Sequence, residues 1–142
     1  MPCQVLSVTR TVITGFRPER DRLVIGVRPR KGRGHRCPVC GRACPRYDAP
    51  RGARRWRALD LCSTPCYLEY APCRVRCPDH GARVEAVPWA GGPPSRFTEA
   101  FEEQVAWLCV HCDTRTVSEL MRVGWHTVGG ICAVDGNVFY QR

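Results

Sequence analysis

Lysine is all but missing from this 142-residue chain: Lys31 is the only one among 22 basic residues, so the net charge of +9 is carried by guanidinium groups. Guanidinium grips phosphate bidentately and stacks on bases, although a GC-rich coding sequence also favours arginine without any binding role. No apolar run approaches the roughly 18 to 20 residues that span a bilayer, which argues against a helical membrane anchor. No signal peptide opens the chain, and its 11 cysteines are an odd number. With the cysteine spacing described below, these absences predict a reducing compartment, the cytoplasm and its nucleoid, rather than a secreted disulfide scaffold. Grouped aspartates are lacking too. Asp48, Asp60, Asp79, Asp113 and Asp135 stand singly among turns or arginines, without the shared context that two-metal phosphoryl transfer requires. No cysteine is placed beside an evident base, so the sequence predicts neither an active site nor a small-molecule substrate.

What the chain does have is two tight pairs of soft ligands. Cys37-Pro38-Val39-Cys40-Gly41 is answered by Cys77-Pro78-Asp79-His80-Gly81. Each pair fits a turn that aims two side chains at one ion, and the glycine after it supplies the positive φ such a turn often needs. Cys37, Cys40, Cys77 and His80 are therefore the candidate ligands of a closed tetrahedral Zn²⁺. Rival ligands remain open at this point: Cys44 can stand in for Cys40, and Cys62, Cys66 or Cys73 can build or share a second site. Cys109 and Cys112 fall on an apolar helical face and read as packed thiols.

The charge is lopsided. Residues 1–58 hold 15 Lys and Arg against 3 acids, whereas residues 59–142 hold 7 against 10. A front half at +12 names nucleic acid as the natural partner. Its densest stretch, residues 42–57, sets arginines around Tyr47 and Trp56 and reads as a loop suited to phosphate and base contacts, or as a solvated surface. Residues 5–13 and 23–27 predict a β-hairpin with a turn through 16–22, and 28–36 a basic arm. Short strands between Ala58 and Arg76 are expected to join the two metal-binding turns. After the Ala90–Pro94 stretch the period changes to about 3.6: Phe97, Phe101, Val105, Leu108 and Cys112 predict a helix capped by Thr98. Thr116-Val117-Ser118-Glu119 predicts a second helix with a capping box, and Trp125-His126-Thr127-Val128 opens a third after Gly124. The expected architecture is α+β: a hairpin and arm (1–36), a zinc ribbon (37–89), a linker (90–94), a helix-turn-helix domain (95–134) and a tail (135–142).

The order of CPVCG, RRWRALDL, CRVRCPDHG, VPWA, RFTEAFEEQVAWL and TVSELMRVGWHTVGGI resembles the N-terminal region of bacterial insertion-sequence transposases of the ISL-three family. In that family a zinc finger precedes a helix-turn-helix and then a catalytic domain with an acidic triad, which this chain would lack. The resemblance implies metal ligands at Cys37, Cys40, Cys77 and His80, and a helix-turn-helix from Thr116 to Ile131. It also implies a double-stranded DNA partner at the ends of a mobile element. Arg51, Arg54, Arg55, Trp56, Arg57, Arg115, Arg122, His126 and Thr127 are the expected DNA-contacting residues, the arginines for positioning and His126 and Thr127 for bases. The competing classes are a zinc-stabilised module for docking or self-association into a homo-oligomer and, third, a thiol enzyme.

Overall fold

A computed structural model describes residues 8–91 and 95–139, and side chains as far as residue 133. Residues 5–7 of the expected first strand, 92–94 of the expected linker and 140–142 of the expected tail lie outside the described residues. The chain divides into two compact units, Met1–Glu99 and Ala100–Arg142.

In the first unit, β1 (Thr11–Pro18) and β2 (Leu23–Pro29) pair antiparallel, closed by the Glu19 N–H donating to the Arg22 carbonyl at 2.9 Å. The expected hairpin is present but displaced. Phe16, Arg17 and Pro18, which the sequence places in the turn, pair instead with Ile25, Val24 and Leu23. Pro18 is tolerated because β1 is an edge strand. The register slips between Ile13 and Gly15, and a Cβ at Gly26 would come within 2.6 Å of Thr14 Oγ1, so the bulge needs glycine opposite it.

The next two strands correct the expected ribbon. β3 (Arg54–Leu61) and β4 (Thr64–Tyr70) form a hairpin whose turn holds Cys62 at φ 58°, and β4 runs parallel to β2, giving a sheet of order β1-β2-β4-β3. The arginine-rich stretch is thus a strand from Arg54 onward, and these strands do not carry the metal-binding turns. The cause is alternation with period two. Ile25 and Val27, Trp56 and Ala58, and Cys66 and Leu68 all face one core with Val8 and Trp89, where Trp56 and Tyr70 meet Trp89 edge to face at 5.5 and 5.3 Å. A separate short hairpin, β5 (Arg74–Cys77) with β6 (Gly81–Val84), carries the second knuckle.

Across from the core, the sheet carries ion pairs. Arg55 meets Glu19 at 2.8 Å and Glu69 at 3.0 Å, and Arg17 reaches Glu69 at 3.1 Å. The Arg55 guanidinium holds the carboxyls of Glu19 and Glu69 below their ordinary value, with Arg17 adding to both. A carboxylate with a lowered folded pKa stabilises the fold above its unfolded value of about 4.5 and loses that contribution as pH falls through the folded value. Arg55→Ala should therefore be less stable than the parent in urea at pH 7. The gap should narrow below about pH 4.5, and a gap independent of pH would show that these pairs contribute nothing.

From the boundary onward runs α1 (Glu99–His111), which buries Phe101, Val105 and Leu108 as its period predicts, and Ala106 with them. α2 (Thr114–Met121) starts earlier than the predicted capping box. Asp113 is the N-cap, accepting from the Thr116 N–H at 3.0 Å, while the Thr116 hydroxyl donates to its other oxygen at 2.8 Å. A carboxylate beats a hydroxyl as first acceptor at the positive helix end, which moves the cap three residues upstream. Arg122 ends α2 in the left-handed region (φ 54°), and after Gly124 α3 (Trp125–Phe139) begins where expected. Val117 of α2 and Val128 of α3 are fully buried. A disulfide joins Cys109 of α1 to Cys132 of α3, so Cys109 is not the packed free thiol that the sequence predicts, while Cys112 is free.

Candidate metal centre and nucleic-acid interface

The first knuckle turns because the Gly41 N–H donates to the Cys37 carbonyl at 2.9 Å, with Gly41 at φ 71°; the second closes at Gly81, φ 72°. Both glycines take the left-handed conformation their position after the ligand pair predicts. The knuckles are laid together by backbone pairing of Arg36 with Ala86 and of Arg46 with Val75. The Tyr47 and Arg76 N–H groups complete the seam on the Arg74 and Pro45 carbonyls.

The ligand atoms of Cys37, Cys40, Cys77 and His80 all lie within 4.8 Å of one another. His80 Nδ1 is 3.7 Å from Cys37 Sγ and 3.4 Å from Cys77 Sγ, and Cys40 Sγ is 3.7 Å from Cys77 Sγ. A tetrahedron built on ordinary zinc–sulfur and zinc–nitrogen bonds has edges of about 3.5 to 3.8 Å, close to these three separations, so the donor set suits Zn²⁺. The local field favours thiolate. Burial acts to raise the Cys77 thiol, but the Asp79 and His80 backbone N–H groups outweigh it and hold it at about 7. The Cys40 N–H likewise keeps Cys37 low. At Cys40 the Arg42 N–H is outweighed by burial and by the neighbouring Cys37 and Cys77 sulfurs, which raise it, as expected where several thiols compete for one proton deficit.

The rival cysteines separate cleanly. Cys44 is buried beside this set, its thiol facing the Arg42 carbonyl at 3.4 Å, and burial and Cys77 push its pKa up. Cys62 is exposed in the β3–β4 turn, and Cys66 is fully buried in the sheet core. Cys73 falls into a different cluster with His35 and Glu85.

The expected DNA-contacting residues are dispersed by the strand. Arg51 and Arg54 are exposed, and Arg51 makes a 3.4 Å contact to Asp48. Arg55 is held between Glu19 and Glu69. Arg57 is buried, paired to Asp60 at 2.9 Å and lying over the Tyr67 ring, and Trp56 is buried in the core. Packing thus claims Trp56 and Arg57 before any ligand can. Trp56→Ala should cost about 3 to 5 kcal/mol in urea denaturation; a change under about 1 kcal/mol would return the indole to the base-stacking candidates. Arg54 and Arg55 also line a groove of about 710 Å³ that Arg96 enters from beyond β6. Arg96 carries no signal in the sequence, because it stands alone in the acidic half. In the second unit Arg115 is exposed and pairs with Glu119 at 3.1 Å, Arg122 caps α2, and His126 stacks on the exposed Trp125 at 3.6 Å at the start of α3, with Thr127 next to it.

A Cys/His knuckle pair followed by a helix-turn-helix places the chain among zinc-finger and helix-turn-helix DNA-binding proteins. Residues 33–80 match the zinc-finger of transposase IS204/IS1001/IS1096/IS1165, and residues 85–133 match the helix-turn-helix domain of transposase family ISL3. The chain therefore carries the zinc-finger and helix-turn-helix region of ISL3-family transposases. It is 45% identical over 130 residues to the transposase for insertion sequence element IS1557 from each of two strains of Mycobacterium tuberculosis. The match takes in 87% of this chain and 29% of each relative. No solved structure matches.

Proposed function

We propose that this chain is a zinc-dependent DNA-binding module that recognises the terminal inverted repeats of an insertion sequence and does not itself cut or join DNA. The observation that carries the reading is the succession of two transposase domain matches along one chain, the zinc finger first and the helix-turn-helix second. In this reading Cys37, Cys40, Cys77 and His80 hold one Zn²⁺ with no open position, Arg51, Arg54 and Arg96 take phosphates, and the α3 N-terminus offers His126 and Thr127 to base edges. Binding takes place in the cytoplasm, at the nucleoid. A mobility-shift titration should retain preference for element-end duplex over a shuffled duplex as salt rises, because the phosphate term falls with salt for both while base contacts do not. Equal affinity for the two duplexes at every salt concentration would refute end recognition. Incubation with Mg²⁺ or Mn²⁺ should leave the shifted DNA intact.

A second reading, self-association through the helical unit, draws on the exposure of Trp107 and Val110 on α1 and of Leu120 and Trp125. Sedimentation equilibrium of the free protein distinguishes it: a monomer at tens of micromolar removes this reading.

A further inference from the structure

Glu85 is buried with no side-chain exposure, immediately after β6. Its Oε1 accepts from the Tyr70 hydroxyl at 2.8 Å and the Cys73 N–H at 3.1 Å, and its Oε2 accepts from the His35 N–H at 2.9 Å. Its ion-pairing side chain among the described residues is His35, with Nδ1 at 3.8 Å, and no guanidinium among them pairs with it although arginines line the adjoining groove. A carboxylate withdrawn this far from water calls for a positive partner, which a half-exposed imidazole supplies only when protonated.

The third group of the cluster is Cys73, whose buried Sγ lies 3.3 Å from His35 Nδ1 and 3.4 Å from Glu85 Oε1. A tetrahedral ion with ordinary bonds to nitrogen, sulfur and oxygen requires separations of about 3.4 to 3.6 Å between these donors. The observed 3.3 Å from sulfur to nitrogen and 3.4 Å from sulfur to Oε1 are close to these, with Nδ1 3.8 Å from the other oxygen, Oε2. His35 is held in place for this. It takes φ 56°, a left-handed conformation uncommon outside glycine, and is held there by its N–H on Glu85 and by the Cys44 N–H donating to its carbonyl at 2.9 Å.

From these observations we infer that His35, Cys73 and Glu85 form a second metal site, distinct from the Cys37/Cys40/Cys77/His80 set, for a thiophilic divalent cation of the Zn²⁺ or Co²⁺ kind. Thiolate and imidazole exclude Mg²⁺ and Ca²⁺, which take oxygen. One thiolate and one carboxylate neutralise the divalent charge, whereas three thiolates at the first set leave it negative. With three protein ligands and His35 half exposed to water, the ion keeps a fourth position for solvent. The ion adds a side-chain tie between the loop before the first knuckle, the β4–β5 connection and the end of β6, which backbone bonds from Ala86 to Arg36 and from Glu85 to Cys73 already bring together.

The test is a Co²⁺ titration of the full chain, metal-free and under argon with a phosphine reductant. Two equivalents should bind, and the second should add about one third of the sulfur-to-cobalt charge-transfer intensity of the first, in the ratio of one thiolate to three. His35→Asn and Cys73→Ser should each bind one equivalent with the three-thiolate spectrum intact, which also reports that the ribbon is folded; His35→Asn, at an exposed position, serves if Cys73→Ser does not fold. Conversely, Cys37→Ser should lose the intense spectrum, so failure at the first site is distinguishable from failure at the second. A parent protein that binds a single equivalent in Co²⁺ excess, or a His35→Asn variant that still binds two, would overturn the second site.

Discussion

A chain in which Cys77 is replaced by Ser is expected to lose the ion of the first cluster and, with it, the order of residues 36–47 and 74–84, while the four-stranded sheet and the helices persist. The ribbon has almost nothing else to stand on. Its buried cluster is Cys37, Cys44, Cys73, Val75 and Cys77, so one aliphatic side chain supports two strands of four residues each. A two-stranded hairpin of that size is not stable alone in water. Structural zinc contributes on the order of 10 to 16 kcal/mol in small finger peptides, more than any packing available here. The sheet, by contrast, has its own core around Ile25, Leu68 and Trp89, and the helices belong to the second unit. Zinc analysis with hydrogen exchange followed peptide by peptide reads both halves of the expectation: protection should vanish over the two knuckles and survive in β2, β4 and α1. Cys77→Ser protein that retains zinc at the parent stoichiometry and protection over 36–47 would remove Cys77 from the ligand set. His80→Ala should behave alike, whereas Cys44→Ala should keep the ion.

The metal knuckles were legible because ligation is local: two residues three apart and a glycine behind them define each half-site before any tertiary structure exists. The helices were legible for a similar reason, since a 3.6 period over α1 and the Gly124 break declare themselves in one window. What stayed hidden depends on distant partners. RRWR at residues 54–57 reads as a basic loop until β4 is known to lie beside it. Only then do Trp56 against Leu68 and Arg55 between Glu19 and Glu69 make it a strand. The alternation is masked because arginine stems cover the sheet face while their heads pair with acids from elsewhere in the chain. His35, Cys73 and Glu85 are 38 and 12 residues apart in sequence and share no spacing rule, so only folding brings their donor atoms together. The disulfide between Cys109 and Cys132 escaped for the same reason, 23 residues separating its halves.

Replacing Arg51, Arg54 and Arg96 together with Ala should weaken duplex binding steeply at low salt and leave the fold intact. Each phosphate that is no longer neutralised takes about 0.9 off the slope of log affinity against log salt, so the triple variant should flatten it by roughly two to three units. The choice of residues follows from the structure rather than from charge density. Arg51 and Arg54 present exposed guanidinium groups and Arg96 is exposed at the same groove as Arg54, whereas Arg55 and Arg57 are committed to Glu19, Glu69 and Asp60. Arg57→Ala should therefore lower the urea midpoint and change affinity only as far as it unfolds the protein, a pattern opposite to that of the triple variant. Specificity should respond to a different unit. Because His126 and Thr127 stand at the opening of α3, His126→Ala and Thr127→Ala should each reduce the preference for element-end over shuffled duplex by about 1 to 3 kcal/mol, with the salt slope unchanged. If the arginine triple leaves the slope as it was, the basic front half is a solvated surface and the helical unit alone carries the contact with DNA. If instead the α3 substitutions flatten the slope without touching preference, their side chains sit on phosphate, and the helix entering the groove does so in another orientation.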